Sequence, residues 1–162
     1  MSISVSVREA HAGDRASIFR LLEILDEHHR IALPKVFRRP LGERREQIWF
    51  DTIIAGPDSV ILVAEGSDCG IVGLAVLIVK AIPATIVRDA RQFVEIDQFV
   101  VDPEARRAGV GRELVEATRK WTSARGHLNL ELSAWSFNVD AIAFYRQAGF
   151  ERIGERLAMA EF

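Results

Sequence analysis

Cysteine is almost missing from this chain. Cys69 is the single one in 162 residues, so an internal disulfide and a cysteine-based zinc site are both excluded. It sits in the turn-like Ser67-Asp68-Cys69-Gly70 with no base nearby in sequence, and a nucleophilic role is not expected of it. No apolar run reaches membrane-spanning length, and Met1–Arg8 lacks a basic region followed by an apolar block. Neither a spanning segment nor a signal peptide is expected, which leaves the cytoplasm as the default. An excess of one charge is missing as well: 21 Lys and Arg face 23 Asp and Glu, a net −2. That balance does not suggest nucleic acid or a membrane surface as partner. There is no internal repeat, low-complexity tract or linker. With 49% apolar residues, the chain reads as one globular domain, 1–162, able to bury a sizeable core.

Periodicity gives the order of elements. Ile3–Arg8 alternates apolar and polar residues as a strand does. Asp14 is a plausible N-cap for a helix carrying Ile18, Leu21, Leu22 and Leu25 on one face. Asp26–Arg30 continues or frays that helix. His28 and His29 are adjacent, so they diverge and cannot share a metal as an i, i+4 pair can. They read as a solvated helix end. Ile31–Pro40 reads as a loop, and a second helix is predicted from about Leu41 to Ala55, stopped by Gly56-Pro57. Ser59–Glu65 and Ile71–Ile82 read as a hairpin of strands buried on both faces, with Gly73 marking a close approach or a bulge. Arg38, Arg39 and Trp49 read as solvated charge and core aromatic.

Phe93–Val101 is the next predicted strand, and two acids stand in its middle. On a regular strand Glu95, Asp97 and Phe99 share one face, and Val94, Ile96, Gln98 and Val100 the other. Carboxylates there are costly unless they face a wet cleft or are paired. An ion-pair role and a catalytic role are both open for each. After Asp102-Pro103 comes Arg106-Arg107-Ala108-Gly109-Val110-Gly111-Arg112, then an amphipathic helix carrying Val110, Leu114, Ala117, Trp121 and Ala124 on one stripe and ended by Gly126. The glycines let backbone N–H groups turn inward, the helix start adds partial positive charge, and the arginines add full charges. The product is an anion cradle suited to a pyrophosphate. It lacks the third glycine of a dinucleotide fingerprint, where Leu114 stands, and the Gly-Lys-Ser/Thr of a P-loop. Leu128–Ala134 then alternates as a strand. Asn138 can cap a last helix that Gly149 closes, and Arg152–Phe162 reads as one or two final strands.

Arg106, Gly109 and Gly111 form Arg-x-x-Gly-x-Gly, which resembles the acetyl-coenzyme A signature of the GNAT superfamily of N-acetyltransferases. Downstream, Asn138-x-x-Ala141-x-x-Phe144-Tyr145-x-x-x-Gly149-Phe150 resembles the second motif of that family and follows a predicted strand, as it does there. The predicted order β-α-α-β-β-β-α-β-α-β is similar to the family's α/β (α+β) fold, a mixed twisted sheet flanked by helices.

The resemblance implies acetyl transfer from acetyl-coenzyme A to an amine by direct attack in a ternary complex, without a metal. It implies a cleft where Phe93–Val101, commonly bulged, splays from Leu128–Ala134. Backbone groups of Phe99, Val100 and Val101 would pair with pantetheine. Arg106, Arg107, Ala108, Gly109, Val110, Gly111 and Arg112 would hold the pyrophosphate, mainly by N–H groups, and Asn138, Ala141 and Phe144 would line the cofactor's other side. Glu95 and Asp97 match positions used for the general base, and Tyr145 matches the usual general acid. The first two helices and their connection would wall the acceptor pocket. The acceptor, a small-molecule amine or a protein amine, is left open, as is a non-catalytic acyl-coenzyme A binding module on the same fold. Dimerisation is common in the family, but no stretch predicts a specific interface.

Overall fold

The computed structural model describes residues 4–39, 44–126 and 129–159. Strand β1 (Val5–Glu9) is followed by helices α1 (Arg15–Ala32) and α2 (Arg44–Ala55), then strands β2 (Ser59–Gly66), β3 (Gly70–Ile82) and β4 (Arg91–Val101), helix α3 (Val110–Ala124), strand β5 (Leu130–Leu132) and helix α4 (Val139–Gln147). The strands form one sheet in the order β1-β2-β3-β4-β5. The first four are antiparallel, and β5 runs parallel to β4. The expected mixed sheet with flanking helices is what the chain adopts.

The sheet has an apolar layer on each face because β2 and β3 are apolar at nearly every position. Val60, Leu62, Ala64, Ala75 and Leu77 meet Val110, Leu114 and Trp121 of α3 on one face. Ile61, Val63, Leu74 and Val76 meet Ile18 and Leu21 of α1 and Phe50 and Ile53 of α2 on the other. Trp49 packs against this second layer, as its core reading anticipated, while Arg38 and Arg39 are exposed. On α3 the buried hydroxyls of Thr118 and Thr122 donate to the carbonyls of Leu114 and Thr118, so neither is left unsatisfied.

At Gly73 helix α3 lies close against the sheet. A Cβ there would lie 3.1 Å from both Leu114 and Val110 and 3.2 Å from the Val100 carbonyl oxygen. Gly73→Val is therefore expected to destabilise the fold by about 1–3 kcal/mol through overpacking, read as a lowered urea midpoint with unchanged slope. A midpoint equal to that of the parent chain would show that α3 does not rest on this backbone.

Several expectations need correction. Asp14 precedes α1 but makes no capping bond. Its carboxylate instead takes two hydrogen bonds from Arg8, at 2.7 and 3.0 Å, and one from the His11 N–H at 2.9 Å. The guanidinium outcompetes the local cap because it brings a full charge to a buried carboxylate. Asn138 also makes no side-chain cap to α4. The last strand is shorter than its alternating sequence, covering only Leu130–Leu132, and Leu128 lies outside the described residues. No strand forms over 151–159, and 160–162 lie outside the description. Ile153, Leu157 and Met159 are all strongly exposed among charged neighbours, so this stretch has no buried face to order it. Of the second helix, Leu41–Glu43 is likewise outside the described residues.

Candidate active site

The cleft begins with a fault in β4. Gln98 pairs with Val76 and Ile96 with Leu77, so Asp97 has no residue opposite it. This is a β-bulge, and it reverses which residues face which layer. Val94 and Ile96 lie in the α3 layer, but beyond the bulge it is Phe99 and Val101 that pack there, while Val100 joins the α1/α2 layer. The expected common face of Glu95, Asp97 and Phe99 is thus corrected. Glu95 projects to the α1/α2 side, opposite Ile78, and Phe99 to the α3 side.

The bulge coincides with a parting of strands. β5 pairs with β4 only at Val94, Glu95 and Ile96. Asp97 to Val101 therefore continues with no strand on its outer side among the described residues. Unpaired strand edges are templates for an extended ligand. Glu95 lies at the head of this gap, 27% exposed, with Oε2 3.2 Å from Lys80 Nζ. Asp97 is exposed, and its Oδ2 accepts from Gln98 Nε2 at 3.4 Å. The two acids are not equivalent: one is held by a cation and the other faces solvent.

The anion cradle follows directly. Asp102 ends β4, donating its N–H to the Val72 carbonyl at 2.8 Å and accepting from Glu104 N–H at 3.0 Å. Arg20 of α1 reaches across to Asp102 at 2.5 Å and to the Ile71 carbonyl at 3.0 Å. Burial alone would push the Asp102 carboxyl up, but Arg20 and the Glu104 N–H outweigh it and hold it below the usual range. This anchor sets the start of the loop. Arg107 then takes φ 62° and Gly109 φ 91°. Left-handed backbone costs a residue with a Cβ about 1–2 kcal/mol, so Arg107 is a strained position of the kind found where a ligand is bound. The Gly109 carbonyl accepts from both Arg112 and Glu113 N–H, at 3.0 and 3.1 Å, and starts α3. The N–H groups from Arg107 to Gly111 find no hydrogen-bond partner among the described residues. Arg106, Arg107 and Arg112 are exposed, with no ion-pair partner among those residues. A row of unused N–H donors at a helix start fits a pyrophosphate.

The second motif packs onto the first. A Cβ on Gly111 would lie 3.1 Å from the Phe144 ring, so glycine there admits the aromatic. Phe144 lies 5.8 Å from Phe99 and 5.4 Å from Tyr145, and Tyr145 lies 5.9 Å from Phe99 and 5.7 Å from Phe150. The strand beyond the bulge, the start of α3 and the middle of α4 thus meet through aromatic rings. Burial among them pushes the Tyr145 phenol up to about 12. Ala141 and Asn138 stand at the start of α4, and the Asn138 side chain is free of any capping bond.

Sequence reasoning missed a further aromatic cluster. His28 and His29, read as a solvated helix end, instead lie 5.6 and 5.9 Å from Phe137, and His29 stacks on Phe37 at 5.0 Å. Phe37 in turn meets Trp135 edge-on at 5.5 Å. Burial pushes the His29 imidazole below its ordinary value, so it is neutral at pH 7. The available signal was the pair Trp135-x-Phe137 in the short loop between β5 and α4. Among the described residues no cluster of His, Cys, Asp and Glu is arranged to hold a metal, and no helix is long and apolar enough to cross a membrane. Cys69 is exposed in its turn.

With the cleft, cradle and aromatic junction in view, the chain can be compared with known proteins. The sequence model of the acetyltransferase (GNAT) family matches residues 21–150, and the chain belongs to that family. Members of the family use acetyl-coenzyme A. An uncharacterised N-acetyltransferase of Methanocaldococcus jannaschii is 35% identical over 63 residues, which are 39% of this chain and 28% of that protein. A solved mutant of the BH1408 protein of Bacillus halodurans superposes with a TM-score of 0.88 at 26% identity, covering 97% of this chain and 99% of that one. An aminoglycoside 6'-N-acetyltransferase of Acinetobacter baumannii shares the fold at a TM-score of 0.76 and 12% identity, over 98% and 99% of the two chains.

Proposed function

We propose that this chain is an N-acetyltransferase that moves an acetyl group from acetyl-coenzyme A to an amine by direct attack within the β4–β5 cleft. The observation that carries the reading is the coincidence of the Asp97 bulge, the parting of β5 from β4 and the row of free N–H groups a few residues on. Bound acetyl-coenzyme A supplies the acyl group as a thioester.

The protein's own residues do the rest. The N–H groups of Arg107 to Gly111, with the surrounding arginines, hold the pyrophosphate. The open edge of Phe99–Val101 aligns the pantetheine arm. Asn138, Ala141 and Phe144 line the other side. An alkylammonium acceptor must lose a proton to attack, which costs ~4–5 kcal/mol at pH 7 when its pKa lies about three units higher. Glu95, 3.2 Å from Lys80 Nζ, takes that proton, directly or through water. Asp97, facing solvent at the bulge, attracts the cationic acceptor.

Tyr145 serves the departing sulfur. With its pKa near 12 the phenol stays protonated at neutral pH. Full proton transfer to a thiolate of pKa ~8.5 would run uphill, so Tyr145 stabilises the sulfur chiefly as a hydrogen-bond donor. Tyr145→Phe keeps the ring among Phe99, Phe144 and Phe150 and removes only the hydroxyl. It is expected to lower kcat by roughly ten- to a thousandfold with little change in coenzyme A affinity. A full-rate variant would reduce Tyr145 to a packing residue. The reading as a whole is tested by amine-dependent thiol release from acetyl-coenzyme A over a panel of amines; no release with any amine would contradict it.

A further inference from the structure

We propose that His28, His29, Phe37, Trp135 and Phe137 form an acceptor-selecting wall, and that the acceptor is an arylalkylamine, a single amine on a short chain carrying a flat ring. The proposal rests on the acetyltransferase reading and names the substrate class of that same cleft. Two stretches distant in sequence build the wall: the end of α1 with the loop that follows it, and the loop between β5 and α4. Trp135 and Phe137 follow Leu132 closely, and Leu132 is where β5 leaves β4, so they stand beside the gap. Helix α1 lies on the α1/α2 side of the sheet, the side to which Glu95 projects. The wall and the candidate base therefore border the same opening.

The chemistry of the wall favours a ring over a polycation. Its rings are partly open to solvent, Trp135 at 41%, which leaves aromatic surface for another ring to cover edge-on or offset. His29 is neutral at pH 7. Of the carboxylates around it, Glu23 and Glu27 pair with Arg30, Glu95 with Lys80 and Glu131 with Arg91, while Asp26, beside His29, has no ion-pair partner among the described residues. Among the described residues 33–39 of the loop carrying Phe37, Lys35, Arg38 and Arg39 are exposed and none is acidic. Aminoglycoside and polyamine acceptors carry several positive charges, and this rim would repel them. One ammonium near Asp97, the exposed acid at the gap without an ion-pair partner among the described residues, is what this charge distribution can serve.

The test is calorimetry on the full chain saturated with coenzyme A, titrated with phenethylamine, butylamine and spermidine. Phenethylamine should bind at least ~10-fold tighter than either of the others. Trp135→Ala and Phe37→Ala should erase that preference, Trp135→Phe should keep it, and coenzyme A affinity should not move. In steady state the same alanine variants should raise KM for phenethylamine about tenfold while kcat stays within about twofold. Equal affinities for the three amines, or a preference that survives Trp135→Ala, would overturn the wall. If all three amines are acetylated equally well, the wall fails while the acetyltransferase reading stands. If coenzyme A binds but no amine is acetylated, both fail.

Discussion

Gly111→Glu is expected to weaken coenzyme A binding by at least ~100-fold in a chain that still folds, because juxtaposed like charges cost several kcal/mol. The substitution puts a carboxylate at the start of α3, beside the unused N–H groups of Arg107 to Gly111. It also brings a Cβ to 3.1 Å from the Phe144 ring, which must give by a few tenths of an ångström. Gly111→Ala separates these causes: it makes the same contact without the charge, and it should retain most of the affinity. Calorimetry with coenzyme A reads both variants, and circular dichroism checks that each is folded. Equal affinity in Gly111→Glu and the parent chain would put the pyrophosphate somewhere other than this loop.

The candidate base gives the second large effect. Glu95→Gln keeps the shape of the side chain and removes its charge. It should lower kcat/KM by about 100-fold at pH 7, the low end for losing a general base. The deficit should shrink as pH rises toward the acceptor's own pKa, since free amine then forms without help. The direction follows from what the base does: it is needed only while the acceptor is protonated. Asp97→Asn should act otherwise, raising KM for a cationic acceptor more than it lowers kcat. Were Asp97 the base, the two pH profiles would exchange. If both variants keep the parent profile, neither residue takes the proton.

How far these features are legible in sequence depends on how local their causes are. Arg106 to Arg112 and Asn138 to Phe150 are short runs whose residue types alone determine a turn, a helix start or a packed aromatic, and the structure puts both where their spacing implies. The mixed sheet with two apolar layers is likewise legible, because β2 and β3 are apolar throughout. The face that Glu95 occupies is not, because the bulge at Asp97 is a matter of register against β3, and one added residue reverses every side chain beyond it. Asp14 reads as a cap of its own helix, yet the deciding partner of its carboxylate, Arg8, comes from β1. The wall of His28, His29, Phe37, Trp135 and Phe137 exists only once two stretches about 100 residues apart converge, so no window of sequence contains it. Arg152–Phe162 reads as one or two final strands, but a strand needs a neighbour and a buried face, and the described residues 152–159 have neither.

The most direct test is to incubate the full chain with acetyl-coenzyme A and phenethylamine or spermidine at neutral pH, and to follow thiol, amine and protein mass together. The account predicts that each thiol released is matched by one acetylated amine, with no acetyl group left on the chain at any time. Tight coenzyme A binding without thiol release would make the protein a binding module. An acetylated chain that forms before the product would replace direct transfer with a covalent relay. Either result would contradict the account.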